Sequence, residues 1–149
     1  MKPFKTFFFT LAVIFSFTAC EHPTIEDGTY IGHFHVDNYE SHGYFHLWNI
    51  QVLVESNKNK TMNFTIKEVK FNEEMSAIDI KITGIIIKKT KEGFTLLLPK
   101  EGIIPADMTG TPLPQYTIKE LNGTITAEHL SFSMFCNEYV VWFNSGNIC

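Results

Sequence analysis

The stretch Leu130-Ser131-Phe132-Ser133-Met134-Phe135-Cys136-Asn137-Glu138-Tyr139-Val140-Val141-Trp142-Phe143 decides the fold class. Leu130, Phe132, Met134 and Cys136 fall on one side, with Ser131, Ser133 and Phe135 on the other. A period of two sends successive side chains to opposite faces of a β-strand. Asn137-Glu138 interrupts the run with turn chemistry, and an apolar segment follows at once, so a hairpin is expected with Cys136 facing Tyr139.

The same pattern extends backward through the chain. Met62, Phe64 and Ile66 oppose Asn63, Thr65 and Lys67; Ile78, Ile80 and Ile82 oppose Asp79 and Lys81. Strands are expected over 29–36, 44–55, 62–71, 77–83, 85–89, 94–98, 116–125, 130–136 and 139–144, with turn residues between them and no helical periodicity. One greasy and one wet face per strand is the mark of an antiparallel sheet. The fold class is therefore all-β: an antiparallel meander closing into a barrel of about eight strands, with a β-sandwich as the alternative. Residues 99–115 break the meander with four of the six prolines. Ile103, Ile104, Met108 and Leu113 give this long loop an apolar side, and tucked over a barrel end it would plug or gate it.

Ahead of the strands, Lys2 and Lys5 precede an apolar, uncharged run over 7–17, which reads as a targeting segment and is short for a membrane span. It ends in Phe17-Thr18-Ala19-Cys20, which resembles the lipobox of lipoprotein signal peptidase. The expected organisation is a signal peptide over 1–19, a lipidated tether over 20–27 beginning at acylated Cys20, and a single domain over 28–149. Two or more chains such as palmitate make a stable anchor. The protein is thus expected to be exported and lipid-anchored to a bacterial membrane, on its periplasmic face or on the outer-membrane surface.

Formal charge is −4 at pH 7, and loss of Lys2 and Lys5 takes it to −6. All twelve basic residues are lysine. Without arginine forks, and with a net acidic chain, nucleic-acid binding has no electrostatic support. The lysines of 58–60 and 88–91 read as solvated turns that also protect strand edges. A Cys136–Cys149 bridge is disfavoured: Cys149 lies ten residues beyond Tyr139, about 33 Å along an extended strand, whereas bridged Cα atoms lie within about 7 Å.

Gly28-Thr29-Tyr30-Ile31-Gly32 at the first strand, together with the closing segment over 104–143, resembles the calycin-like, lipocalin-like lipoproteins of Bacteroidetes. That resemblance implies an eight-stranded lipocalin-like antiparallel barrel and usually no known activity. Tyr30 stands where true lipocalins carry Trp after Gly-x, so ligand transport does not follow from the likeness.

Three readings of function arise. The first is a non-catalytic binding module for a small apolar or amphipathic ligand, with Trp48, Ile103, Ile104, Met108, Phe132 and Trp142 as candidate contacts. The second is an interaction lipoprotein with a solid barrel that docks a membrane-associated complex. They differ in whether the interior is open or filled. The third is a zinc or copper site at the first hairpin: His33 and His35 share a strand face, and a hairpin centred between Tyr39 and Glu40 would set His33 opposite His46. A slip of one residue would oppose His33 with Leu47 and send His46 to the other face. No Ser-His-Asp grouping is visible, the carboxylate pairs Glu26-Asp27 and Glu73-Glu74 fall in tether and turn, and neither enzyme activity nor a cofactor is expected.

Overall fold

The computed structural model describes residues 27–146; the expected signal peptide, Cys20, the rest of the expected tether and Cys149 lie outside the described residues. Eight strands form one closed antiparallel barrel: β1 (Gly28–Asn38), β2 (Gly43–Ser56), β3 (Thr61–Val69), β4 (Ile78–Lys89), β5 (Phe94–Leu97), β6 (Ile118–Ile125), β7 (Leu130–Cys136) and β8 (Tyr139–Asn144). Each strand pairs with the next, and β8 returns to β1, so the sheet closes wholly within the described span. Cys136 faces Tyr139, as the last hairpin's turn residues require.

Alternation builds the interior. Phe34, Val36, Val52, Val54, Phe64, Ile66, Ile80, Ile82, Leu96, Ile125, Phe132 and Phe143 are all buried. Phe132 is the hub, with ring centroids 5.5 Å from Phe64, 5.2 Å from Phe143 and 6.4 Å from Phe34. Each such side chain stabilises the fold by about 1.5–3 kcal/mol relative to exposure. Thr65 is the one buried polar residue among those described. Aromatic side chains sit at both ends: Phe71, Tyr116 and Tyr139 pack against one another at one. At the other, the Tyr30 hydroxyl donates to the Thr126 carbonyl at 2.6 Å.

Three sequence expectations change. The expected strands 77–83 and 85–89 are one strand, β4, carrying a bulge at Thr83-Gly84 opposite Asn63. Gly84 has φ +79°, and its N–H donates to Asn63 Oδ1 at 3.1 Å; a glycine that looked like a break is the residue that lets the strand bend without ending.

The first hairpin is centred between Glu40 and Ser41, since Asn38 pairs with Gly43. Asn38 Oδ1 accepts the N–H groups of Glu40 and Ser41 at 3.0 and 2.9 Å, which holds a four-residue turn centred one residue later than expected.

The 99–115 loop patches the side wall. β5 is only four residues long and pairs with β4 from Ile86 to Lys89, leaving the first half of β4 without a neighbour on that side. The loop fills the gap by pairing Ala106 with Lys81 and Ile103 with Ile118. Ile103 is buried there, while Ile104 and Met108 project outward at 54% and 53% exposure.

Candidate functional site

Two bulges in neighbouring strands open the wall on the other flank of β4 from the loop. In β2, Trp48 and Asn49 together face the single residue His33, and Asn49 takes φ +58°. In β3, Lys67 and Glu68 together face Asp79, and Glu68 takes φ +51°. Each bulge strengthens local twist and turns its strand. Pairing between β2 and β3 accordingly stops at Val52 with Ile66, and the Gly43–Gln51 part of β2 keeps β1 as its ladder partner.

Between the diverging strands lies an open cleft of about 670 Å³, lined by Leu47, Trp48, Asn49, Ile50, Gln51, Lys67, Glu68, Ala77 and Asp79. Its size falls in the range of small-molecule sites, about 300–1,000 Å³. Trp48 and Leu47 give it an apolar side. The opposing side is fixed: Asp79 Oδ2 accepts from Lys67 Nζ at 2.7 Å, and Asp79 Oδ1 accepts the Glu68 N–H at 2.9 Å. The Lys67 hydrogen bond, followed by the Glu68 N–H, holds the Asp79 carboxyl below the usual carboxylate range. Asp79 therefore clasps both residues of the bulge and presents a charged pair to the cleft.

Beside Trp48, on the outer face of β1 and β2, three imidazoles meet. His35 is the residue directly across from His46; His33 reaches His46 from the bulge. The expected pairing of His33 with His46 is thus replaced by His35 with His46, because the turn moved by one residue and the bulge absorbed the difference. All three nevertheless share the outer face. His33 Nε2 lies 2.7 Å from His46 Nδ1, and His35 Nδ1 lies 3.2 and 3.3 Å from the two His46 nitrogens. Face-to-face rings keep atoms about 3.5–4.0 Å apart, so the nearly parallel His33 and His46 rings meet edge to edge through an N–H···N hydrogen bond. Trp48 stacks on His33 at a centroid distance of 4.2 Å, and Trp142 of β8 lies 5.1 Å from His35.

Burial, then the neighbouring His46 and His35, push the His33 pKa down. Burial and His46 do the same for His35 against an opposing pull from Asp37. Both shifts favour the neutral imidazole.

The six candidate ligand contacts therefore divide. Phe132 and Ile103 are core residues, Ile104 and Met108 sit on the outside of the loop patch, and Trp48 and Trp142 flank the imidazoles. The cleft's polar residues, Asn49, Gln51, Lys67, Glu68 and Asp79, were missed from sequence. The available signal was a phase change in β2, where inward positions run Phe45, Leu47 and then Ile50, Val52, Val54. Cys136 is free and buried, with its thiol pushed up to about 12 by desolvation, which makes it inert as a nucleophile.

The class defined by these observations is an eight-stranded antiparallel barrel with an apolar, side-chain-filled interior and its polar chemistry on the outer wall. No protein-family model matches the chain, and no curated protein or solved structure matches it.

Proposed function

We propose that this protein is an exported, lipid-anchored binding module of the calycin-like kind its sequence resembles, and that it takes a small amphipathic ligand in the β2–β3 cleft. The observation that carries the reading is the contrast between the two candidate places. The interior offers buried apolar side chains, whereas the cleft joins the exposed Trp48 ring to the clasped Lys67–Asp79 pair. Specific small-molecule sites need such a mixture of apolar wall and few fixed polar groups. A flat ligand with one greasy face and a polar rim satisfies both sides at once.

The anchor is supported by where the barrel's N-terminal end lies. Asp27 Oδ1 accepts the Ser56 N–H at 2.7 Å, so the chain enters beside the β2–β3 turn. Exposed Lys58 and Lys60 stand in that turn, and exposed Lys88, Lys89 and Lys91 lie around the adjacent β4–β5 turn. The lysines of these two turns, next to the tether, can meet anionic headgroups even though Asp27, Glu55, Glu92 and Glu128 are exposed at the same end. Labelling cells with a clickable palmitate analogue tests this half: label on the protein that vanishes in C20S supports it, and equal labelling of C20S rejects it.

Trp48 and Trp142 are the only tryptophans, which makes the cleft directly observable. In W142F, anilinonaphthalene sulfonate is expected to quench Trp48 emission on binding. In W48F, Trp142 emission should stay nearly constant. Quenching confined to Trp142 would move the site to the β6–β8 wall and reject the cleft.

A further inference from the structure

We propose that His33, His35 and His46 bind one late first-row divalent transition ion, Cu²⁺ ahead of Zn²⁺, through His33 Nε2, His35 Nδ1 and His46 Nδ1. As the side chains stand, no group of three or more His, Cys, Asp or Glu among the described residues encloses a cation position. The hydrogen bond between His33 and His46 draws their nitrogens to 2.7 Å, closer than two nitrogens that share one ion.

Two imidazole nitrogens on one tetrahedral ion, each about 2.0–2.1 Å from it, sit about 3.3 Å apart. His35 Nδ1 and His46 Nδ1 already have nearly that spacing, at 3.2 Å. His33 must withdraw by about 0.6 Å to match it, and both rings must turn so that Nε2 and Nδ1, which now face each other, point to the ion. His46 is exposed and His33 and His35 are half-buried on the outer face, so small side-chain rotations suffice and the strands need not move. The ion takes the place of the proton held between His33 and His46; the donor imidazole gives up that proton and takes one up on its other ring nitrogen, so each ligand stays neutral and no net proton is released.

Strand geometry favours the set. His33 and His35 are two apart on β1 and so share a face, and His46 is the cross-strand neighbour of His35. Three imidazoles with no thiolate suit Cu²⁺, Zn²⁺ and Ni²⁺, and the general order of divalent affinities puts Cu²⁺ first. The exposed side of His46 leaves a position for water, as in open three-ligand sites. Neutral imidazole is the ligating form, and it is the form that burial and mutual repulsion favour at His33 and His35. This site rests on the imidazoles alone and stands or falls separately from the cleft.

The test is titration of the untagged, chelator-stripped barrel over 27–146 with Cu²⁺ and, separately, Zn²⁺. One equivalent of Cu²⁺ should quench tryptophan emission, because Trp48 and Trp142 border the cluster, and its paramagnetic resonance spectrum should carry hyperfine splitting from three nitrogens. H46Q should weaken binding by more than the roughly 10–100-fold that loss of an outer-shell partner costs, with an unchanged far-UV spectrum. The double variant H42Q/H129Q should bind as the parent does, since His42 sits in the turn and His129 pairs with Asn144. No stoichiometric Cu²⁺ uptake, parental affinity in H46Q, or loss confined to H42Q/H129Q would each overturn the site. Running the probe-quenching experiment in excess chelator keeps the two results separable: probe binding without metal uptake removes the ion site and spares the cleft.

Discussion

The last hairpin and the first are built from similar residues and end up with opposite tasks. β7 and β8 pair without a break from Ser131–Asn144 to Cys136–Tyr139, and all four inward residues of β7 are buried. β1 and β2 have the longer ladder, but a bulge shifts its register between Gly32 and Phe34. Beyond that bulge β2 parts from β3 and leaves Tyr44, His46, Trp48 and Asn49 exposed. Uninterrupted alternation makes core. A local break in it re-aims side chains and makes a surface with chemistry.

The largest expected effect breaks the regular half. Phe132→Ala removes the aromatic hub and should cost about 3–5 kcal/mol in urea unfolding. A cost below about 1 kcal/mol would mean the interior already holds space, contrary to the packing described.

Next is Gly123, on β6 opposite Phe132, where a β-carbon would come within 2.5 Å of the Ser131 carbonyl oxygen and 2.6 Å of Phe132 Cβ. Gly123→Ala should destabilise by about 1–3 kcal/mol. The equivalent change at Gly84, where a β-carbon meets nothing within 4 Å, should cost only the left-handed backbone penalty of about 1–2 kcal/mol. A larger loss at Gly84 than at Gly123 would reverse the assignment of the two glycines.

Asp79→Ala strikes the irregular half. The ion pair is partly exposed, so about 1 kcal/mol is expected, together with loss of probe binding as the Glu68 bulge relaxes. Because the Asp79 pKa is lower folded than unfolded, its contribution is complete above the ordinary carboxylate pKa of about 4 and fades as pH falls through the folded value. Stability curves of the parent and D79N should therefore converge only in strong acid; a difference that disappears near neutrality would contradict the clasp.

The smallest effect is a slope. Folded His33 and His35 release protons more readily than they do unfolded, so between the two values the unfolded chain holds more protons and stability falls as pH drops below about 6.5. H33Q/H35Q should flatten that decline, read from thermal midpoints between pH 7.5 and 5. A steeper decline in the double variant would mean the cluster favours the charged form.

How much was legible follows the same divide. Leu130 to Cys136 announced its inward face because nothing interrupts the period of two, and the closed all-β architecture followed from repeating that reading. Gly84 read as a boundary, since a sequence does not say whether a glycine ends a strand or bends it; the answer is Asn63, twenty-one residues away. His33, His35 and His46 were recognisable as a group, but their pairing depended on Asn38 holding a wider turn centred one residue later and on Asn49 adopting positive φ. The cleft was missed, because Lys67 and Asp79 look like ordinary outer-face residues; the signals present were the phase change at Trp48-Asn49 and Glu68 falling on the inward phase of β3, and these mark the two bulges that part the strands. Ile103 and Ile104 are adjacent and apolar alike, and only the short β5 decides that one is drawn into the wall.

The central claim, a filled interior with recognition on the outer split, is tested most directly by amide and methyl NMR shifts during titration with anilinonaphthalene sulfonate. The account predicts shifts concentrated at Trp48, Asn49, Gln51, Glu68 and Asp79, with Ile80, Phe132 and Phe143 nearly still. Shifts centred on those three inward residues, with the split unmoved, would contradict it.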